Sequence, residues 1–329
     1  MLISQTPLRI SLAGGGTDLA AYYSEKPGAV LSSAIDKYVY VIVNPRFDDR
    51  IVLGYTRKEI VLDVNEIEHE LIRAAMKKTG VGRGVEVVTM ADIPSEGSGL
   101  GSSSSVTVGL LNALYAYRGT QVGPEQLARE ACEIEIETCG KPIGKQDQYI
   151  AAYGGMRHIE FLPDESVQVE EVSLGRGARH KLSERMRLFY TNSVRKAEDI
   201  LREQRDNTHS KRSSLDEIRS LVVPARRAVQ DGNYDVLGQL LDENWRIKRG
   251  LAGGISNPEI DEMVERAQSG GATGCKVCGA GGGGFLLTYC PHGSEERLHQ
   301  AMSGYREMPF FLERFGSKII FNVEGYEWK

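Results

Sequence analysis

Val, Ile, Phe and Tyr gather in short runs at 37–43, 84–90, 186–190, 285–289 and 318–323, and these segments predict strands. A different period governs 257–269, where Ile260, Met263, Val264 and Ala267 share one helical face behind an Asn257-Pro258 start. Val106, Leu110, Ala113, Leu114 and Tyr117 form a second helical stripe, and Leu127, Ala131 and Ile134 a third. Strands and helices mix through the first half, whereas 194–269 reads as mostly helical before strands return. That order predicts an α+β protein of two domains, 1–180 and 181–329, with a cleft between them. No repeat period or low-complexity segment interrupts the pattern.

Composition narrows the class. The 329 residues suit about two domains at roughly 150 residues each. A net charge of −5 argues against a nucleic-acid binder that works by bulk charge. The longest purely apolar run, 38–43, falls far short of the ~20 residues a membrane helix needs. No basic segment precedes an apolar stretch at the start, and Arg9 interrupts it, so a cytoplasmic protein with small-molecule partners is expected. The five cysteines (132, 139, 275, 278 and 290) read as reduced thiols. Cys275 and Cys278 form a lone CxxC with Cys290 and His292 beyond it. A zinc site or a redox pair is the special reading. Because the pair opens a glycine run leading into a strand, buried small hydrophobes fit better.

The 37 glycines, about 11% of the chain against a usual ~7%, are clustered. Gly97-Ser98-Gly99-Leu100-Gly101-Ser102-Ser103-Ser104-Ser105 lies between a predicted strand and a predicted helix. Glycines let backbone N–H groups converge, and the helix start adds the positive end of its dipole, which together suit a polyphosphate. The loop lacks the G-x-x-x-x-G-K-[ST] pattern and contains no lysine, so amides and a metal must neutralise the charge. Its serine hydroxyls are hard-oxygen donors for Mg²⁺. The plainer alternative is a tight turn with a serine N-cap, but four consecutive serines exceed what a cap requires. A second cluster, 279–284, matches G-x-G-x-x-G yet leads into the strand-like 285–287 rather than a helix, the reverse of a dinucleotide fold. A glycine wall at phosphates, or a close backbone crossing, fits better. The third cluster is Gly14-Gly15-Gly16 within 7–18.

Those three segments, in that order and spacing, resemble the GHMP small-molecule kinases over residues 7 to about 287. Within that family, Ala13-Gly-Gly-Gly-Thr-Asp18, 97–105 and Gly144-Lys-Gln-Asp-Gln148 look most like the D-glycero-D-manno-heptose 7-phosphate 1-kinases. The resemblance implies an N-terminal domain like the second domain of ribosomal protein S5 and a ferredoxin-like C-terminal domain. It implies ATP and Mg²⁺, and transfer of phosphate to the anomeric C1 hydroxyl of a sugar phosphate on the way to nucleotide-activated heptose. A kinase of free L-fucose or galactose, a silent sugar and nucleotide sensor on the same fold, and a homodimer stay open.

Roles follow from the same likeness. Residues 97–104 (Gly97, Ser98, Gly99, Leu100, Gly101, Ser102, Ser103 and Ser104) would hold the nucleotide. Asp147 matches the aspartate facing the reacting hydroxyl, although alone it could cap a helix starting at Gln148. Arg9 matches an arginine near the transfer centre, and Gly15, Gly16, Thr17 and Asp18 the sugar site. An Arg9–Asp18 ion pair is the structural alternative. Glu135 matches the Mg²⁺-holding glutamate, with Glu133 and Glu137 as rivals, and Ser103 the partner ligand, with Ser102 and Ser104 one register away. Galactokinases carry Gly-Glu-His where this chain has Gly14-Gly15-Gly16, so a charge that would repel a phosphorylated sugar is missing. For that sugar's phosphate, Arg195 and Lys196 at a helix start supply an anion site, and Gly281 and Gly282 also face substrate. In the family Thr-Gly is common where Thr191-Asn192 stands; Asn tolerates the left-handed backbone too. Lys196, Lys248, Arg249 and Lys276 read equally well as surface charges.

Overall fold

The computed structural model describes residues 1–93, 97–193 and 197–323. Twelve strands are present among them. In the first half they are β1 (Leu2–Gly14), β2 (Gly28–Pro45), β3 (Ile51–Gly54), β4 (Lys58–Val61), β5 (Val85–Ala91), β6 (Met156–Phe161) and β7 (Val167–Glu171). In the second half they are β8 (Met186–Tyr190), β9 (Gly274–Val277), β10 (Phe285–Tyr289), β11 (Glu307–Met308) and β12 (Lys318–Asn322). The first helices are α1 (Ala20–Tyr23), α2 (Glu70–Thr79), α3 (Ser102–Tyr117), α4 (Pro124–Cys132), α5 (Gln146–Tyr153) and α6 (Arg176–Glu184). The rest are α7 (Ala197–Asp206), α8 (Arg212–Ser220), α9 (Val222–Gln230), α10 (Tyr234–Lys248), α11 (Pro258–Ser269) and α12 (Glu295–Ala301). Among the described residues no helix is long and apolar enough to cross a membrane.

The long strand β2 organises the first sheet. Its first half is buried throughout and pairs with β6, while its second half alternates, with Val39, Val41 and Val43 inward, and pairs with β5. That alternation is what a sheet with one covered face requires. β1 runs antiparallel along the other edge of β2, and the register shifts between Pro7 and Leu8 and again between Ser11 and Ala13. These bulges flank Arg9, and bulges bend a strand and re-aim its side chains. The second sheet, in the order β11-β8-β10-β9, is antiparallel throughout.

Of the expected stripe on helix α3, Leu110, Ala113 and Leu114 are buried, while Val106 and Tyr117 are half-buried. Val108 and Leu111 are buried as well, because α3 lies under β1 and β2, where Gly109 leaves room for Thr6 and Val41. The expected 257–269 helix is α11, with the Asn257 side chain accepting from the Ile260 N–H at 2.9 Å. The mostly helical 194–269 stretch becomes α7 to α11. Cys275, Cys278 and Cys290 are buried, as small hydrophobes would be.

Seven of the twelve strands, β1 among them, lie outside the expected segments, and one expected strand pairs in the other half. β1 is far longer than its local composition suggests, since its inward residues are interrupted by Ser4, Thr6, Arg9 and Ser11, all buried polar positions. The final strand, β12, which a boundary near 180 assigns to the second unit, hydrogen-bonds to β1 at the edge of the first sheet. Local periodicity identifies a strand but not its partner.

The two halves meet at a backbone crossing. Gly99 and Gly279 lie so close that a Cβ on Gly279 would fall 2.7 Å from the Gly99 Cα, and one on Gly99 would fall 2.5 Å from the Cys278 carbonyl oxygen. A Cβ on Gly284 would reach the carbonyls of Ser98 and Gly97 at 2.5 and 2.6 Å. The glycine runs are therefore a steric requirement of the interface. Gly279 has φ +65°, a left-handed value that other residues adopt at a cost. Gly279→Ala should lower the unfolding free energy by at least about 1–3 kcal/mol. Gly293→Ala, at φ +85° with open space around it, should cost less. Urea denaturation of the two variants makes the comparison.

Candidate active site

Arg9 is the centre of a cluster drawn from three distant segments, β1, the 99–100 loop and α5. Its backbone N–H donates to the Leu100 carbonyl at 3.0 Å. Nε and Nη2 each donate to the Asp147 carboxylate at 2.7 Å, a bidentate fork, and Nη1 donates to the Gly99 carbonyl at 2.5 Å. Burial works against the guanidinium charge, but the Asp147 charge and hydrogen bonds more than offset it and hold the Arg9 pKa up. Arg9 thus pairs with Asp147 rather than with Asp18, correcting the Arg9–Asp18 alternative. Asp18 instead accepts from the Gly16 and Gln146 N–H groups at 2.8 and 3.4 Å. Burial, reinforced by the neighbouring Asp147 charge, raises its pKa. Gly144 makes this arrangement possible, since a Cβ there would fall 2.0 Å from the Asp18 carboxylate.

Asp147 stands inside the first turn of α5, whose N-cap is Lys145. It does not cap the helix; its carboxylate is turned to Arg9. Together Arg9 and Asp147 line a pocket with Ser11, Gly15, Gly16, Asp18, Gln146, Gln204, Lys248, Lys276, Gly279 and Ala280. Gly14, Gly15 and Gly16 all have positive φ, near +84°, +91° and +81°. Around Gly15 the nearest atoms to a built Cβ are 4.0 Å away, so the missing side chain leaves space; at Gly16 a Cβ would strike Gln204 Nε2 at 2.3 Å.

On the other side of Arg9 and Asp147 lies the serine loop. Gly97, Gly99 and Gly101 all have positive φ, and Gly101 turns directly into α3. The first bond within that helix runs from the Ser105 N–H to the Gly101 carbonyl at 3.0 Å, so the Ser103 and Ser104 amides ahead of it have no intrahelical acceptor. The Ser98 and Ser102 hydroxyls are buried and 3.0 Å apart, and Leu100 is buried in the core. Ser103 is exposed, and its hydroxyl donates to Glu135 Oε1 at 2.7 Å. Gln148 Nε2 donates to Glu135 Oε2, also at 2.7 Å.

The structure separates the three candidate glutamates. Glu137 is exposed, and Glu133 is engaged at the surface by Lys78 and Arg129, both at 2.5 Å. Glu135 is fully buried, turned inward by a π-helical turn over Glu133–Thr138. Such turns shift side chains off the regular helical face and recur at functional sites. Burial raises the Glu135 pKa, with hydrogen bonds from Ser104 and Ser103, the Lys141 charge and the Gln148 amide opposing. A buried carboxylate beside an exposed serine hydroxyl is a hard-oxygen pair of the kind Mg²⁺ takes alongside phosphate and water. These residues fit that ion.

Other expected site residues sit elsewhere. Thr17 is fully buried and exchanges hydrogen bonds with Ala29, so it pins the loop rather than facing the pocket. Gly281 and Gly282 pack on Ile255, with the Gly282 N–H donating to its carbonyl at 2.8 Å; Gly279 and Ala280 line the pocket in their place. Arg195 and Lys196 lie outside the described residues, although Asn192 does adopt the left-handed turn at φ +57°. Arg249 is exposed and pairs with Asp261, as a surface charge should. Lys248 and Lys276, for which a surface charge is only one of two equal readings, are 5% and 2% exposed and line the pocket. The signal for Lys276 was its place between Cys275 and Val277 in a strand covered on both faces.

The Glu135 environment generates a pH test. A carboxyl whose folded pKa is raised costs stability when ionised; the cost is absent below its unfolded value near 4.5 and complete above the folded value. Glu135→Gln should therefore raise the ligand-free Tm at pH 7 by roughly 2 °C or more, and lose that advantage as pH falls to about 4.5. Gln148, whose Oε1 has no partner, can turn its amide to meet the new side chain. Thermal scans at the two pH values measure the effect.

The model for the GHMP kinases N terminal domain matches residues 65–155, and that for the GHMP kinases C terminal matches 225–306. The D-glycero-alpha-D-manno-heptose 7-phosphate kinase of Campylobacter jejuni is 30% identical across 91% of this chain and 92% of its own length. The galactokinase of Thermotoga maritima is 24% identical across 97% and 96%. Among solved structures, a D-glycero-D-manno-heptose 1-phosphate kinase from Bacteroides thetaiotaomicron superposes with a TM-score of 0.83 over 99% of this chain and all of that one, at 24% identity. With both halves of the family matched and full-length similarity to a heptose phosphate kinase, the chain belongs to the GHMP kinases, phosphotransferases that use ATP and an alcohol acceptor.

Proposed function

We propose that this kinase transfers the γ-phosphoryl group of ATP to the anomeric C1 hydroxyl of a sugar phosphate, D-glycero-D-manno-heptose 7-phosphate, giving the 1,7-bisphosphate and ADP. The observation that carries the reading is the position of the Arg9–Asp147 pair, which closes one end of the acceptor pocket and touches the serine loop at Gly99. The loop amides and the start of α3 receive the nucleotide phosphates. Ser103 and Glu135 would hold Mg²⁺, which supplies neutralisation of the phosphate charge when bound. Cytoplasmic residence suits the five free thiols.

Transfer of this kind depends mainly on positioning and charge stabilisation. Asp147, held by two hydrogen bonds, accepts one from the C1 hydroxyl and orients its oxygen towards the phosphorus. As the new O–P bond forms and the bond to ADP breaks, the hydroxyl proton passes to Asp147. Arg9 meanwhile holds the carboxylate in place through both hydrogen bonds and sets a cation where negative charge is moving. Gly15, Gly16 and Asp18 shape the sugar side of the pocket, and the absence of a side chain at Gly15 leaves room for an acceptor larger than a free hexose. Arg195 and Lys196 complete the proposed sugar-phosphate contacts.

Asp147→Asn should lower turnover by at least about a hundredfold while leaving ATP-analogue binding within a factor of a few. Coupled ADP release and nucleotide titration measure both quantities, and near-normal turnover removes Asp147 from its role. A panel of heptose 7-phosphate, free heptose, L-fucose and galactose, followed by ³¹P NMR, should show a new anomeric phosphate on the first acceptor. Faster transfer to a free sugar would replace the heptose phosphate reading, and no ADP release with any acceptor would favour a sensor.

A further inference from the structure

Two ammonium groups in the pocket have no role in the reaction as drawn. Lys248, at the end of α10, donates to the Gly279 carbonyl. Lys276, on β9, donates to the Ser11 carbonyl at 3.0 Å and to Asn244 Oδ1 at 3.4 Å. All these acceptors are neutral; among the described residues neither lysine has a carboxylate partner. Buried charges are ordinarily paired, because an isolated one is strongly destabilising. The pocket's own carboxylates are already committed, Asp147 to Arg9 and Asp18 to two backbone N–H groups. Two further donors beside the lysines lack acceptors: the Ser11 hydroxyl, which lines the same pocket, and Asn244 Nδ2. Converging donors without acceptors describe a site for an oxyanion.

We propose that Lys248 and Lys276, with the Ser11 hydroxyl, anchor the phosphomonoester that the acceptor sugar already carries. The proposal rests on the sugar-phosphate reading above and assigns the residues that make it specific. The alternative source of such an anion is the nucleotide. The pocket's lining contains Arg9 and Asp147 but no residue of 97–105, so the lysines stand on the acceptor side of the transfer centre. A neutral sugar would leave both charges uncompensated, whereas a dianion pairs them. Burial lowers the Lys276 pKa well below normal, with Lys248 and Arg9 adding to the decrease, and brings that of Lys248 to about 8, where Cys278, Asp18 and Asp147 oppose the decrease and Arg9 adds to it. An anion favours the protonated lysine, so binding above pH 8 takes up a proton and affinity falls as pH rises through that value.

The test is titration calorimetry without nucleotide, using D-glycero-D-manno-heptose 7-phosphate and the unphosphorylated heptose against the wild type, Lys248→Met and Lys276→Met. Each variant should lose about 10–100-fold in affinity for the phosphorylated sugar, the loss expected for a hydrogen bond to a charged group. Affinity for the free heptose and for an ATP analogue should stay within about threefold. At pH 8.5 the wild type should show proton uptake, read from the dependence of binding heat on buffer ionisation, and Lys248→Met should show less. Should a methionine variant fold poorly, Lys248→Gln and Lys276→Gln, which keep a donor without the charge, take its place. An undiminished preference for the phosphorylated sugar in both variants overturns the lysine assignment alone. So does a loss confined to the ATP analogue, which would move the lysines to the nucleotide. Wild-type enzyme with no preference for the phosphorylated sugar defeats the acceptor reading as well.

Discussion

One guanidinium joins segments that are otherwise far apart in the chain. Arg9 reaches Asp147 on α5 with two parallel hydrogen bonds and Gly99 in the serine loop with a third, and its own N–H holds the Leu100 carbonyl. Arg9 is buried and Asp147 only partly so, and removing the carboxylate would leave the guanidinium uncompensated in a poor solvent. The same contacts that stabilise the fold therefore set the distance between the pocket lined by Lys248 and Lys276 and the serine loop. The β1 bulges on either side of Arg9 supply the local bend that lets one strand residue serve both.

Around this pair the charges are distributed by function. On the loop side, backbone amides, serine hydroxyls and a buried Glu135 offer amide donors and hard oxygens, suited to a triphosphate and its metal. On the pocket side, two lysines with no carboxylate partner among the described residues stand beside Asp18, which accepts from two N–H groups. Both sides carry stability costs, an ionised glutamate in one and ammonium groups in the other, that bound ligands would relieve. Preorganised sites of this sort trade folding free energy for recognition.

The glycine runs explain why the two halves can approach so closely. Ordinary side chains at Gly99, Gly279 or Gly284 would collide with backbone atoms of the facing loop. The likeness of 279–284 to a dinucleotide fingerprint is thus superficial: its glycines serve a crossing ahead of β10 and do not open a helix.

Sequence alone determined the identity of the family. Glycine spacing and the serine run are local features, and the helical stripe at 257–269 likewise carries its own burial pattern, whereas Asp147 read in sequence could equally cap a helix. Tertiary structure decided the rest. It chose Asp147 over Asp18 as the partner of Arg9, and Glu135 over Glu133 and Glu137 through a π-helical turn invisible to a 3.6-residue period. It moved β12 to the first sheet, withdrew Thr17, Gly281 and Gly282 from the pocket, and buried two lysines whose place the sequence leaves open. Each of these depends on which segments meet across long stretches of chain. Pairing energies and desolvation are properties of that meeting, not of the residues taken in order.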